Sequence, residues 1–151
     1  MKALRLIDLP PIWLAAFIGL TWVLSRLLSG LTVKSSLQGY VAAILILLGV
    51  GLMVAAAWEM YNARTTIIPH RQPQALVQTG VFRISRNPIY LGDLFVLAGA
   101  MAYWGVVLAI PLLWIFVRII EARFIKKEEG RLKEGFSQNF AQWAKNTRRW
   151  L

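Results

Sequence analysis

Nineteen consecutive residues, Tyr40 to Trp58, carry no charge. A helix of that length rises about 1.5 Å per residue, and about 20 apolar residues are what one crossing of a bilayer takes. Glu59 ends the run. A second apolar stretch, Ile12 to Leu28, opens behind Pro10-Pro11 and is interrupted only by Arg26. That residue lies close enough to the end to reach the headgroups with its long side chain. A third stretch, Ile89 to Ile120, is broken only by Asp93 and Arg118. Its 32 residues are too many for one crossing and too few for two full ones plus a turn. A tight helical hairpin, turning near Tyr103 to Gly105 with Pro111 kinking its second arm, fits that length best. The reading is an all-α integral membrane protein with about four transmembrane segments, the last two a hairpin. An amphipathic cytosolic C-terminal helix follows. A mean hydropathy of +0.56 over 151 residues exceeds that of an ordinary soluble domain.

Charge separates from the apolar stretches. Nine of the 17 basic residues lie from Arg118 onward, and Arg64, Arg71, Arg83 and Arg86 lie in the central segment. Lys34 alone occupies the first loop between spans, and no basic residue lies near Tyr103 to Gly105. The positive-inside rule then places both termini and the central segment in the cytoplasm, at an inner or plasma membrane. A soluble nucleic-acid binder would not separate charge from apolar sequence in this way. The basic start, with Lys2 and Arg5, resembles that of a signal peptide but lacks a small-residue cleavage site, so the first stretch reads as a retained span. The chain reads as one membrane domain, residues 1–151, with two N-terminal spans in 1–60 and a catalytic half in 61–151.

Residues 61–86 hold Pro69, Pro73 and Gly80 and read as an irregular loop. A loop that long is a candidate for function. From Arg118 the pattern turns amphipathic: Ile125, Leu132, Phe136, Phe140 and Trp143 form one stripe among charges. That describes a helix leaving the membrane and lying along its surface.

Two polar groups flank the last apolar stretch. Arg86-Asn87-Pro88-Ile89-Tyr90-Leu91-Gly92 precedes it, and Glu128-Glu129 follows it. Asn87-Pro88 breaks any preceding helix and starts the next, whose unpaired N–H groups beside Arg86 suit a ligand. Tyr90 and Gly92 offer a hydroxyl next to a bare backbone. The bland alternative is a capped helix start with Arg86 at the headgroups, and a solvated helix bearing Glu128-Glu129. Asp93, one turn into an apolar helix, is a candidate functional residue by its placement alone, though it can instead pair with Arg83 or Arg86. The absence of cysteine excludes disulfides, thiolate catalysis and cysteine-bound metal. The single histidine, His70, provides no cluster for a metal and reads as an interfacial loop residue.

Taken together, Thr65-Thr66-Ile67 with Pro69, Leu76-Val77, Thr79-Gly80, Phe82, Ser85 to Pro88, Tyr90, Gly92, Glu128-Glu129, Leu132, Phe136 and Arg149-Trp150 resemble the membrane methyltransferases. These are the isoprenylcysteine carboxyl methyltransferases and the phospholipid N-methyltransferases. The resemblance covers about residues 60–151. It implies S-adenosylmethionine as methyl donor on the cytosolic side and a membrane lipid or prenylated small molecule as acceptor. By position it implies cofactor contacts at Gln74, Ala75, Leu76, Val77, Phe82, Asn87, Pro88, Ile89, Tyr90, Gly92 and Glu128. Arg86, Tyr90, Glu128 and Glu129 would form the catalytic set, with Arg123 as an acceptor contact. The chain departs from the pattern at three places. Asn87 stands where the family often has histidine, Ser137 where it has glycine, and Phe140 where it has tyrosine. Asparagine keeps donor and acceptor capacity but does not titrate, which bears on the acceptor. A carboxylate acceptor needs no general base, whereas an amine must lose a proton, with Glu128, Glu129 or Asp93 as candidates. Two other readings compete: a nicotinamide-dependent membrane reductase of the sterol reductase type, and a non-catalytic membrane protein.

Overall fold

The computed structural model describes residues 8–33, 35–66 and 72–151. Lys2, Arg5, Lys34, Ile67, Pro69, His70 and Arg71, used above, lie outside the described residues. Among the described residues five α-helices carry the fold: α1 (Pro10–Leu27), α2 (Gln38–Asn62), α3 (Pro88–Trp104), α4 (Pro111–Ile120) and α5 (Lys126–Asn146). Among the described residues there is no strand. The expected four spans are corrected to two. Among the described residues, only α1 and α2 are long and apolar enough to cross a membrane, since α3 has 17 residues and α4 has ten.

α2 is apolar on every side, and side-chain size sorts its faces. Its buried residues are Ala42, Gly49 and Ala56, seven apart, or about two helical turns. At the same spacing on another face, Tyr40, Leu47, Val54 and Tyr61 are each more than 60% exposed. Small residues inside and large apolar residues outside is the arrangement of a helix whose solvent is lipid. The small stripe meets α3. A Cβ on Gly92 would lie 2.6 Å from the Gly49 carbonyl oxygen, and a Cβ on Gly49 would lie 2.6 Å from that of Gly92. Gly99 repeats the contact one level on, against Ala42 and Ile46.

α3 ends at Gly105, whose φ of +66° is the left-handed helix cap that glycine favours. Val33 donates its N–H to the Gly105 carbonyl at 2.9 Å, tying the turn to the α1–α2 connection. Pro111 does not kink the following helix. It occupies the first turn of α4, where its missing N–H has no intrahelical role. The chain then returns past α3, bringing the Phe124 ring to 6.3 Å from Tyr90.

Between α4 and α5, residues Glu121–Ile125 form a π turn, with the Lys126 N–H bonded to the Glu121 carbonyl. The inward residues run Phe116, Ile120, Phe124, Ile125 and then Glu128. Steps of four overshoot an α turn by ~40° each. The wider π turn absorbs that drift, so the apolar stripe hands over to the carboxylates on one side. α5 does not present its stripe to a membrane surface as expected. Leu132, Phe136, Phe140 and Trp143 pack with Ala56, Val77 and Phe82. A break at Phe136 (φ −135°) lets the helix follow that surface.

Candidate functional site

A cavity of about 530 Å³ lies where α2, α3 and α5 meet the loop before α3. The start of α1 contributes Leu9, Pro10 and Pro11, and α2 contributes Met53 and Met60. The loop supplies Thr65, Thr66, Pro73, Ala75, Leu76, Val77 and Phe82. The start of α3 adds Arg86 to Tyr90 and Asp93, and α5 adds Glu128, Glu129, Arg131, Leu132, Phe140 and Trp143. The two motifs that flank the apolar stretch in sequence therefore share one wall.

Their contact is direct. Tyr90 donates its hydroxyl to Glu128 Oε1 at 2.7 Å. Burial pushes the Glu128 carboxyl above its ordinary range, against the opposing pulls of the Tyr90 hydroxyl and the Arg131 charge. Glu129 is bound differently. Arg149 grips both of its oxygens, at 2.6 and 3.2 Å, and Arg86 Nη2 approaches at 3.2 Å. Such a forked pair fixes orientation as well as charge. Arg86 also stacks over Phe140, and its Nε is buried with no hydrogen-bond partner among the described residues.

The C-terminal residues form the back of this wall. The Arg149 carbonyl accepts from Ser85 Oγ and from Asn87 Nδ2, both at 3.1 Å, and Arg86 N–H donates to the Arg148 carbonyl at 3.0 Å. Trp150 Nε1 donates to Glu121 at 2.8 Å. Asn87 thus spends its amide N–H on the tail. The backbone amides of Ile89 and Tyr90 have no intrahelical acceptor, being in the first turn of α3.

Of the residues expected at a site, Arg86, Asn87, Pro88, Ile89, Tyr90, Glu128, Glu129, Ala75, Leu76, Val77 and Phe82 line the cavity. Three do not. Gly92 faces the Gly49 backbone, so its missing side chain serves helix contact. Gln74 is exposed, with its backbone N–H on Thr65 Oγ1 at 3.0 Å. Arg123 points away to Asp8 at 2.9 Å and lies over the Trp13 ring, tying the start of α1 to the π turn. Asp93 does not pair with Arg83 or Arg86; it lies 5% exposed at the cavity wall. Sequence reasoning missed Met53, Met60, Pro10, Pro11 and Arg131, which carry no signal beyond being apolar or basic. Arg149 was read as part of a closing motif, and its grip on Glu129 was not.

Among the described residues the chain is all-helical, with two helices long and apolar enough to cross a membrane and one cavity lined by both motifs. The sequence model of the phospholipid methyltransferase family matches residues 37–139, more than half the chain, and the protein belongs to that family. No curated protein and no solved structure matched the chain. Family membership makes it a methyltransferase acting on lipid-type substrates, and with the two apolar helices points to a membrane protein.

Proposed function

We propose that the protein transfers a methyl group from S-adenosylmethionine to the polar head of a membrane lipid or prenylated small molecule, at the cytosolic end of the α2–α3–α5 cavity. The observation that carries this is the Tyr90–Glu128 hydrogen bond, which joins the two motifs inside a cavity large enough for both ligands' reacting ends. Ligand cavities run to roughly 300–1,000 Å³.

The residues present fit such a donor. Arg86 Nε is a buried donor with no hydrogen-bond partner among the described residues, suited to the donor's carboxylate. Glu128 is an acceptor for hydroxyls or a cationic centre, and the amides of Ile89 and Tyr90, in the first turn of α3, have no intrahelical acceptor. When bound, S-adenosylmethionine supplies an electrophilic methyl on a sulfonium. The protein's share is positioning and exclusion of water. Tyr90 aims the Glu128 carboxylate, Glu129 holds Arg86 in place, and Phe82, Phe140 and Trp143 wall the cavity with apolar surface. Family membership favours this reading over a nicotinamide-dependent reductase.

α1 and α2 cross the bilayer in this reading. α3 and α4 form a shorter hairpin within it, and both termini and residues 61–88 are cytosolic. The concentration of basic residues from Arg118 onward supports that orientation. The acceptor enters sideways from the bilayer, its tail remaining in hydrocarbon. Calorimetry on detergent-purified protein tests the donor site. Wild type is expected to bind S-adenosylhomocysteine and Glu128→Ala to bind it at least about tenfold more weakly, or ~1.4 kcal/mol. Equal affinity in the two would remove the site assignment.

A further inference from the structure

One side of the cavity is held far less firmly than the rest. Leu9, Pro10 and Pro11 line it from the start of α1, and Met53 and Met60 line it from α2. α1 and α2 both pack on α3 but hardly on each other. α2 is locked to α3 by the approach of Gly49 to Gly92. The start of α1 has no such lock. Pro10 and Pro11 have fixed φ and no N–H, so this stretch is stiff yet donates no backbone hydrogen bond there. Among the described residues, the one polar tie from residues 8–11 to another element is Asp8 to Arg123 in the π turn. Arg123 Nη1 donates to Asp8 Oδ1 at 2.9 Å, and Trp13 Nε1 donates to the same oxygen at 3.1 Å. The Arg123 guanidinium lies 5.0 Å from the centre of the Trp13 ring. The next residue, Phe124, packs against Tyr90, so the tie runs from the start of α1 to the wall of the site. The Arg123 side chain is 49% exposed, and an ion pair so exposed is a weak tie that thermal motion opens.

Resting on the reading of a lipid ligand that enters sideways from the bilayer, we propose that Asp8, Trp13 and Arg123 form the latch of a lateral gate. Closed, the latch holds Leu9, Pro10 and Pro11 at the α1 side of the cavity. Open, it lets a single lipid tail pass between the start of α1 and α2. Arg123 then governs access to the cavity and contacts no ligand. A latch and a binding residue differ in what they change. Loss of the latch raises the fraction of time that the gate stands open, so a lipid enters and leaves faster by the same factor. Its equilibrium affinity stays the same, because the bound state is untouched. Loss of a ligand contact changes the affinity, mostly through the dissociation rate.

Stopped-flow fluorescence tests this on the full chain in nanodiscs. The probe is a single-chain phospholipid with a pyrene at the end of its tail, followed by energy transfer from the protein's tryptophans. Asp8→Asn and Arg123→Gln cut the latch from its two ends. Each should raise both the association and the dissociation rate at least about threefold and leave the affinity within about twofold of wild type. The double variant should match either single variant, since both remove one tie. S-adenosylhomocysteine affinity should be the same in all four proteins. Unchanged rates in the variants overturn the proposal, and a lowered melting temperature with unchanged rates identifies the tie as a structural pin. A loss of probe affinity of about tenfold in Arg123→Gln alone places Arg123 on the ligand and also overturns it. So does a wild type that takes up no probe. If wild type binds no S-adenosylhomocysteine while the rate changes persist, the donor reading fails and the gate stands.

Discussion

Glu128 combines burial with a single strong donor, and its two effects pull apart on substitution. Burial raises its pKa above the ordinary 4.5, so the folded state holds the proton more tightly than the unfolded chain. The sign follows from linkage: stability falls as pH rises from the unfolded value through the folded one, and the loss is complete above the folded value. Glu128→Gln removes that charge but keeps an oxygen for the Tyr90 hydroxyl. Its melting temperature at neutral pH should equal or exceed that of wild type. The difference should shrink as pH falls toward the ordinary carboxylate range, while S-adenosylhomocysteine binding weakens. A lower melting temperature at neutral pH would show that the carboxylate is net stabilising. Tyr90→Phe acts in the opposite sense. It strands the carboxylate without its donor, and hydrogen bonds to charged groups contribute roughly 1.5–3 kcal/mol. Thermal unfolding should show a loss of that order, together with weaker donor binding.

Helix α2 shows how far the sequence can be read at the scale of an element. The uncharged run over Tyr40 to Trp58 announces a membrane-length helix, and the structure has it over Gln38–Asn62. Which face turns inward is not announced by hydropathy, because every face is apolar. Only side-chain size distinguishes Ala42, Gly49 and Ala56 from their neighbours. Gly92 was therefore open to the wrong reading, as a ligand contact, when its partner is another glycine on another helix. Pro111 could equally kink a helix or start one, and the turn at Gly105 decides the matter by ending α3 first. The π turn has no compositional mark, so the convergence of Glu128 with Tyr90 was legible only as a pair of flanking motifs. The distinction between the glycines of α2 is testable. Gly49→Ala places a Cβ 2.6 Å from a backbone oxygen that cannot move alone. Overpacking of this kind typically costs about 1–3 kcal/mol. Gly51→Ala on the same helix has open space around it. It should be neutral or stabilising by up to ~1 kcal/mol through helix propensity. Equal melting temperatures for the two variants would contradict the close approach of α2 to α3.

Across the whole molecule, the site is closed by the end of the chain. Ser85, Arg86 and Asn87 are held in register by the carbonyls of Arg148 and Arg149. The Arg149 side chain holds Glu129, which in turn approaches Arg86. Trp150 ties the same segment to Glu121 at the π turn. The segment before α3 follows only a short 3-10 turn, Gly80–Arg83, and is tied further by residues more than 60 positions away. Removing residues 148–151 should leave the helical core, since none of these contacts falls within α1 to α4. It withdraws three hydrogen bonds from the Ser85–Asn87 segment, each contributing about 1 kcal/mol. That weakens the closed wall by ~3 kcal/mol, or roughly a hundredfold in its population at most. The truncated protein should keep its helical circular dichroism and lose S-adenosylhomocysteine affinity by at least about tenfold. Arg149→Ala, which keeps both carbonyls and removes only the side-chain pairs with Glu129 and Glu121, should fall between it and wild type. Unchanged binding in the truncated protein would mean that α3 and α5 hold the cavity wall without the tail, and that Arg149 merely neutralises Glu129.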